Sequence, residues 1–134
     1  MTTSQLHTWW HELNTWEPEV ACAFYQETLG WTFEKVPLPD GTDYWIARQG
    51  GRAVAGVFAL ERPLYEGVPS HWMTYMAVSD VTRVELQAED ARGEVMRRAI
   101  HVPGVGKLSV VCDPGGAMIG LIEPDPHHAL AEAA

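Results

Sequence analysis

Residues 50–57 read GGRAVAGV and residues 115–122 read GGAMIGLI. Each stretch opens on a glycine pair and runs into small and β-branched residues with one glycine inside, the pattern of a turn feeding a strand. The glycine pairs lie 65 positions apart, and Gly56 and Gly120 agree with that spacing to within one residue. Upstream, Trp10 falls 65 before Tyr75, and Gly30 and Gly93, each placed to stop a helix, are 63 apart. A period this long, seen twice, points to a duplicated unit rather than a solenoid.

Around these stretches the strand and helix signals alternate in the same order in both halves. In the first, Thr8 to Thr15 alternates as a strand, Pro18 opens a helix whose apolar residues Val20, Ala21, Phe24, Tyr25 and Leu29 recur at helical spacing, and Gly30 stops it. Three strands follow, at 31–36, 43–48 and 52–60, turned by PLPDG at 37–41 and by Gly50-Gly51. In the second, His71 to Val78 is a strand, Asp80 caps a helix to about Ala91, and strands at 94–101, 107–112 and 117–123 complete the set. The expected fold is α+β: two tandem β-α-β-β-β units forming a curled mixed sheet around a central cleft. All 134 residues make one domain, with units at 7–60 and 71–123, a connector at 61–70 rich in proline and glycine, and a tail at 124–134.

Composition narrows the partners. Eighteen acidic residues against nine basic ones give a net charge of −9, with no basic stripe, so nucleic acid and anionic membranes are disfavoured. The start, MTTSQLHTWW, has neither a basic nor an apolar signal region, and no apolar run is long enough to span a bilayer, so a cytoplasmic location is expected. Cys22 and Cys112 read as small buried hydrophobes rather than a bridge, and nothing basic adjoins Cys112 to make it a nucleophile. Six Trp and four Tyr are many for this length, and such rings often line pockets for small ligands.

The chain resembles the vicinal oxygen chelate superfamily, which includes glyoxalase, bleomycin-resistance proteins and extradiol dioxygenases. The residues that carry the likeness are Trp10-His11-Glu12-Leu13, Ala23-Phe24-Tyr25, Leu29-Gly30-Trp31 and Val54-Ala55-Gly56. His71-Trp72, Tyr75-Met76-Ala77-Val78, Pro103-Gly104-Val105-Gly106 and Asp113-Pro114-Gly115-Gly116 continue it across residues 7–125. Within that family the nearest group is the small glyoxalase-like proteins without an assigned substrate. Members that bind a divalent ion place His or Glu ligands on the first and last strands of each unit. Carried over one at a time, those positions fall on Trp10, on or beside Gly56, on Tyr75 and on Gly120. None is an ordinary ligand apart from a weak tyrosine phenolate, so no metal or other cofactor is expected. The resemblance also implies a homodimer.

What stands there instead is an aromatic ring and a glycine in each half. A flat ring beside a missing side chain suits a planar or apolar small molecule, with Trp10, Asn14, Gly56, Tyr75 and Gly120 as the ligand-binding set. Equally, ring and glycine could pack together and fill the cleft. Glu12, two residues from Trp10, shares its face, and His71 shares that of Tyr75. They are candidate catalytic residues for an alternative reading as a lyase, isomerase or dioxygenase, acting as acid and base or as displaced metal ligands. Glu12 could equally accept backbone N–H bonds, His71 could be an exposed strand start, and Asn14 a turn former. His127-His128 in the tail read as a frayed terminus able to hold a metal adventitiously. A third reading is a partner-binding domain whose cleft is closed by its own rings.

Overall fold

The structure, a computed structural model, describes residues 9–126. The fold is α+β, with eight strands and two helices among those residues. It divides into two compact units, one of residues 11–73 and one of residues 74–126 together with Trp10. The division therefore falls inside two strands and not in the connector at 61–70. Thr8, most of the tail and His127-His128 lie outside the described residues.

In the first unit, β1 (Trp9–Thr15), α1 (Pro18–Leu29), β2 (Thr32–Pro37), β3 (Asp43–Gln49) and β4 (Arg52–Ala59) follow in order. Their sheet runs β2-β3-β4-β1, with β1 parallel to β4 and the remaining neighbours antiparallel. Helix α1 starts where expected, because Pro18 gives up an N–H that the first turn leaves unpaired. It ends at Gly30, whose φ of 72° lets its N–H reach the Gln26 carbonyl at 3.1 Å. No residue of α1 is buried.

The second unit repeats the plan with β5 (His71–Ala77), α2 (Val81–Asp90), β6 (Glu94–Val102), β7 (Gly106–Cys112) and β8 (Met118–Pro124). The order is β6-β7-β8-β5, with β5 parallel to β8. The Asp80 side chain accepts from the Arg83 N–H at 3.1 Å and so caps α2. Unlike α1, this helix has a core beneath it: Val81, Val111 and Leu121 are buried, with Val84, Ala88 and Ile119 packed against them. One detail at its end corrects the sequence reading. The left-handed residue is Arg92, with φ 72°, and not Gly93. Gly93 is needed for space, since a Cβ there would fall 2.7 Å from the Cys112 carbonyl oxygen.

The connector is folded down rather than loose. Trp16 holds it at one side, its indole N–H donating to the Val68 carbonyl at 2.6 Å and its backbone N–H to Ser70 Oγ at 3.1 Å. The Arg62 guanidinium lies 5.4 Å from the Trp16 ring. At the other side Tyr65 meets Phe58 edge-on, with ring centroids 5.6 Å apart.

Candidate functional site

Strand register decides which residues share a face. In the second unit Tyr75 stands opposite Gly120, Gly120 opposite Val110, and Val110 opposite Arg97, a row running across all four strands. Directly opposed residues point to the same side of a sheet, so this row forms one face. Gly120 has no side chain, and the Tyr75 ring lies flat in the space: a Cβ at Gly120 would sit 2.4 Å from Cγ and Cδ2 of that ring. The Tyr75 hydroxyl accepts a hydrogen bond from Arg97 Nη2 at 2.5 Å. Tyr75 is wholly buried.

The corresponding row of the first unit is Glu12, Gly56, Ile46 and Glu34. Gly56 is also covered by a tyrosine, but by Tyr44 of β3, whose hydroxyl would lie 1.7 Å from a Cβ at Gly56. Next along come Asn14, Phe58 and Tyr44, again one row. Glu12, Asn14, Tyr44 and Phe58 are all buried, as is Trp10. The Asn14 amide lies 3.5 Å from the Glu12 carbonyl, at the outer limit of a hydrogen bond.

These registers revise one expectation. The first-unit counterpart of Tyr75 is Glu12, 63 positions earlier, and not Trp10. The ring paired with Gly56 is accordingly Tyr44 and not Trp10. His71, at the start of β5, is half-buried, and its Nδ1 lies 2.8 Å from the Pro69 carbonyl. That carbonyl accepts only, so Nδ1 carries the proton and Nε2 is left as the acceptor. Among the described residues no carboxylate is hydrogen-bonded to the His71 ring.

Arg97 is the residue that sequence alternation missed. The β6–β7 register breaks between Val95 and Arg97 and again between Arg97 and Ile100, and each break resets the side a residue faces. At the second break the Ala99 N–H turns to Glu85 of α2, donating to Oε2 at 2.9 Å, and Ser109 Oγ donates to the same oxygen at 2.6 Å. Glu85 is buried and thus clamps the bulge that aims Arg97 at Tyr75.

The outer side of the first unit carries open space. Beneath α1 a groove of ≈ 340 Å³ is lined by Trp16, Glu19, Lys35 and Trp45, and a neighbouring one of ≈ 450 Å³ by Cys22, Ala23, Gln26, Phe33 and Trp45. Burial, helped by the nearby Glu19 charge, pushes the Cys22 thiol up to about 11 from 9.0. The protonated thiol supports the fold below pH 9, and that support is lost as pH rises through about 11. At pH 8 its thiolate fraction is about a hundredfold below that of an unperturbed thiol. Iodoacetamide labelling followed by mass spectrometry should therefore find Cys22 slow to react; labelling at the rate of free cysteine would show that its half-buried setting does not hold the thiol protonated.

No family model matches the sequence. Among curated proteins, the Mycobacterium tuberculosis protein named "Putative glyoxylase CFP32" is 35% identical over 117 residues, covering 87% of this chain. The Streptomyces peucetius anthracycline biosynthesis protein DnrV is 29% identical over 119 residues, covering 81% of this chain. Among solved structures, methylmalonyl-CoA epimerase from M. tuberculosis covers 100% of this chain and 97% of its own at a TM-score of 0.64 and 18% identity. A Streptomyces coelicolor methylmalonyl-CoA epimerase covers 86% of this chain and 94% of its own, at 0.62 and 12%. The chain belongs to the vicinal oxygen chelate superfamily.

The structural likenesses speak for the superfamily fold alone, and this chain spans only 44% and 43% of the length of the two curated relatives. With the register correction that puts Glu12 in place of Trp10, the positions that the resemblance assigns to the superfamily's metal ligands hold Glu12, Gly56, Tyr75 and Gly120, a single carboxylate among them. The two glycines offer no side-chain donor, and the Tyr75 hydroxyl accepts from a guanidinium, a positive neighbour that opposes a second cation. This donor set does not fit the superfamily's divalent ion. Among the described residues no group of three or more His, Cys, Asp or Glu gathers in a way that could hold one. No helix among them is long and apolar enough to cross a membrane.

Proposed function

We propose that this glyoxalase-like protein binds a small planar, largely apolar molecule without a metal ion. The observation that carries the reading is the row Tyr75, Gly120, Val110 and Arg97, in which a ring and a bare backbone floor occupy two of the ligand positions and a guanidinium stands beside them. A flat molecule takes the place of the Tyr75 ring above Gly120. Arg97 then passes its N–H from the tyrosine hydroxyl to a carbonyl or hydroxyl oxygen of the ligand. Because Tyr75 is fully buried, entry requires the ring to swing off the glycine, and binding is correspondingly slow. The kinship with DnrV, named for anthracycline biosynthesis, supports a fused-ring ligand.

The test is a titration with an anthracycline, followed by tryptophan fluorescence, with and without EDTA. Saturable quenching at micromolar concentration, unchanged by EDTA and weakened about tenfold or more by Arg97→Met, is the expected result. No saturable quenching, or quenching that EDTA abolishes, would overturn the reading.

A second reading, a lyase, isomerase or dioxygenase using Glu12 and His71 as acid and base, draws on the name of the mycobacterial relative. His71 Nε2 is available as a proton acceptor under this reading, and Glu12 lies opposite Gly56. Turnover that Glu12→Gln abolishes while ligand affinity is kept would favour it.

A further inference from the structure

We propose that the space beneath α1 is a further small-molecule site, built for a lipophilic ammonium ion with a cationic head and an apolar tail. It belongs to the first unit, whereas the Tyr75 row belongs to the second. Strand register lays its floor. Phe33 stands opposite Ala47, Lys35 opposite Trp45 and Pro37 opposite Asp43, so Phe33, Lys35, Asp43 and Trp45 share the face beneath α1. The two grooves there have Glu19, Lys35 and Trp45 in common, so they adjoin, and their far ends are unlike.

The groove of ≈ 340 Å³ is the head end. Trp16 and Trp45 wall it, and Glu17, Glu19 and Asp43 outnumber Lys35, the one basic side chain among the described residues lining either groove. The N-terminus of α1 adds about half a positive charge, which a single carboxylate outweighs. Trp16 is fixed in advance, its indole N–H bonded to the Val68 carbonyl at 2.6 Å. What this end takes is shown by a group of the chain itself. The Lys35 ammonium lies 5.8 Å from the Trp45 ring centroid and 3.8 Å from Asp43 Oδ2, within reach of both a π face and a carboxylate. The Lys35 side chain is 54% exposed, so it can yield that place to a ligand and turn out to water. The groove of ≈ 450 Å³ receives the tail, with Cys22, Ala23 and Phe33 among its walls. An anion would meet three carboxylates at the head, and a neutral molecule would forgo the attraction of rings and charges alike.

Isothermal titration calorimetry with hexyltrimethylammonium tests this, with tetramethylammonium and hexan-1-ol standing for head and tail alone. The expected dissociation constant is about 100 µM for the whole probe, each fragment being weaker by about tenfold or more. Lys35→Ala should bind about tenfold more tightly, because it removes the internal competitor and a like charge. Glu19→Gln should bind about fivefold more weakly. Glu94→Gln removes the same charge from an exposed position of the second unit and should match wild type. Trp45→Leu should lose binding. If circular dichroism shows that variant unfolded, Lys35→Ala and Glu19→Gln decide, since both residues are exposed. No saturable heat below about 1 mM, hexan-1-ol binding as well as the ammonium, Lys35→Ala binding no more tightly, or Glu19→Gln and Glu94→Gln behaving alike would each overturn the proposal.

Discussion

Gly120→Ala is expected to destabilise the protein by about 3 kcal/mol, read from urea unfolding with an unchanged m-value. The added Cβ would lie 2.4 Å from Tyr75 Cγ and Cδ2 and 2.6 Å from Cδ1. Relieving the conflict needs the whole ring to turn about the Cα–Cβ bond, the same swing that ligand entry requires, and that turn gives up the hydrogen bond from Arg97. Gly56→Ala should cost less. There the conflict is with the far end of Tyr44, at 1.7 Å from the hydroxyl and 2.8 Å from Cε2, and a small swing of the ring relieves part of it. The decisive comparison is the double variant: in a Tyr75→Ala background, Gly120→Ala should cost nothing, because the obstacle has gone. A full penalty in that background, or Gly56→Ala costing more than Gly120→Ala, would mean that the ring does not occupy the glycine's space.

Removing the carboxylate of Glu85 should have a comparable effect for the opposite reason. Glu85→Ala leaves the Ala99 N–H and the Ser109 hydroxyl facing a buried space with their shared acceptor gone, at a cost of about 3 kcal/mol. Glu85→Gln keeps one acceptor oxygen and should recover more than half of the loss. The Arg98 guanidinium, 3.7 Å from Glu85 Oε1, is mostly exposed and adds little. Because Glu85 shapes the bulge that carries Arg97, Glu85→Ala should also weaken any ligand that Arg97 holds, whereas Arg98→Ala should not. An alanine variant as stable as wild type would show that the bulge stands without the clamp.

The elements were largely legible in the sequence because each rests on a local cause. Proline at the start and a left-handed glycine at the end bound α1, an aspartate cap starts α2, and glycine-rich turns separate the strands. The duplication was legible too, but not its register. The spacing of 65 holds for the glycine pairs, while the first strands and the helices are offset by 63, so a uniform shift matches Tyr75 with Trp10 when the structure matches it with Glu12. Arg97 was hidden for a related reason. Alternation places a side chain only while the ladder is regular, and β6 departs from regularity on both sides of that residue. Tyr44 was overlooked because its contact with Gly56 runs between strands and leaves no signature in either strand alone. Of the five aromatic and polar candidates, Glu12, Asn14, Trp10 and Tyr75 are buried. His71 instead engages the connector.

The two units answer the same demand, a ring over a glycine, from different directions. One brings its tyrosine from the antiparallel neighbour β3, the other from the parallel partner β5. Genes with internal duplications are exposed to gene conversion, in which one copy overwrites the other. In this protein such an event would be damaging. Overwriting only the first strand would exchange Tyr75 for a glutamate in the second half, and the reverse would set a tyrosine at position 12 above a glycine that Tyr44 already covers. The halves can no longer borrow from each other, and each must accumulate its changes alone.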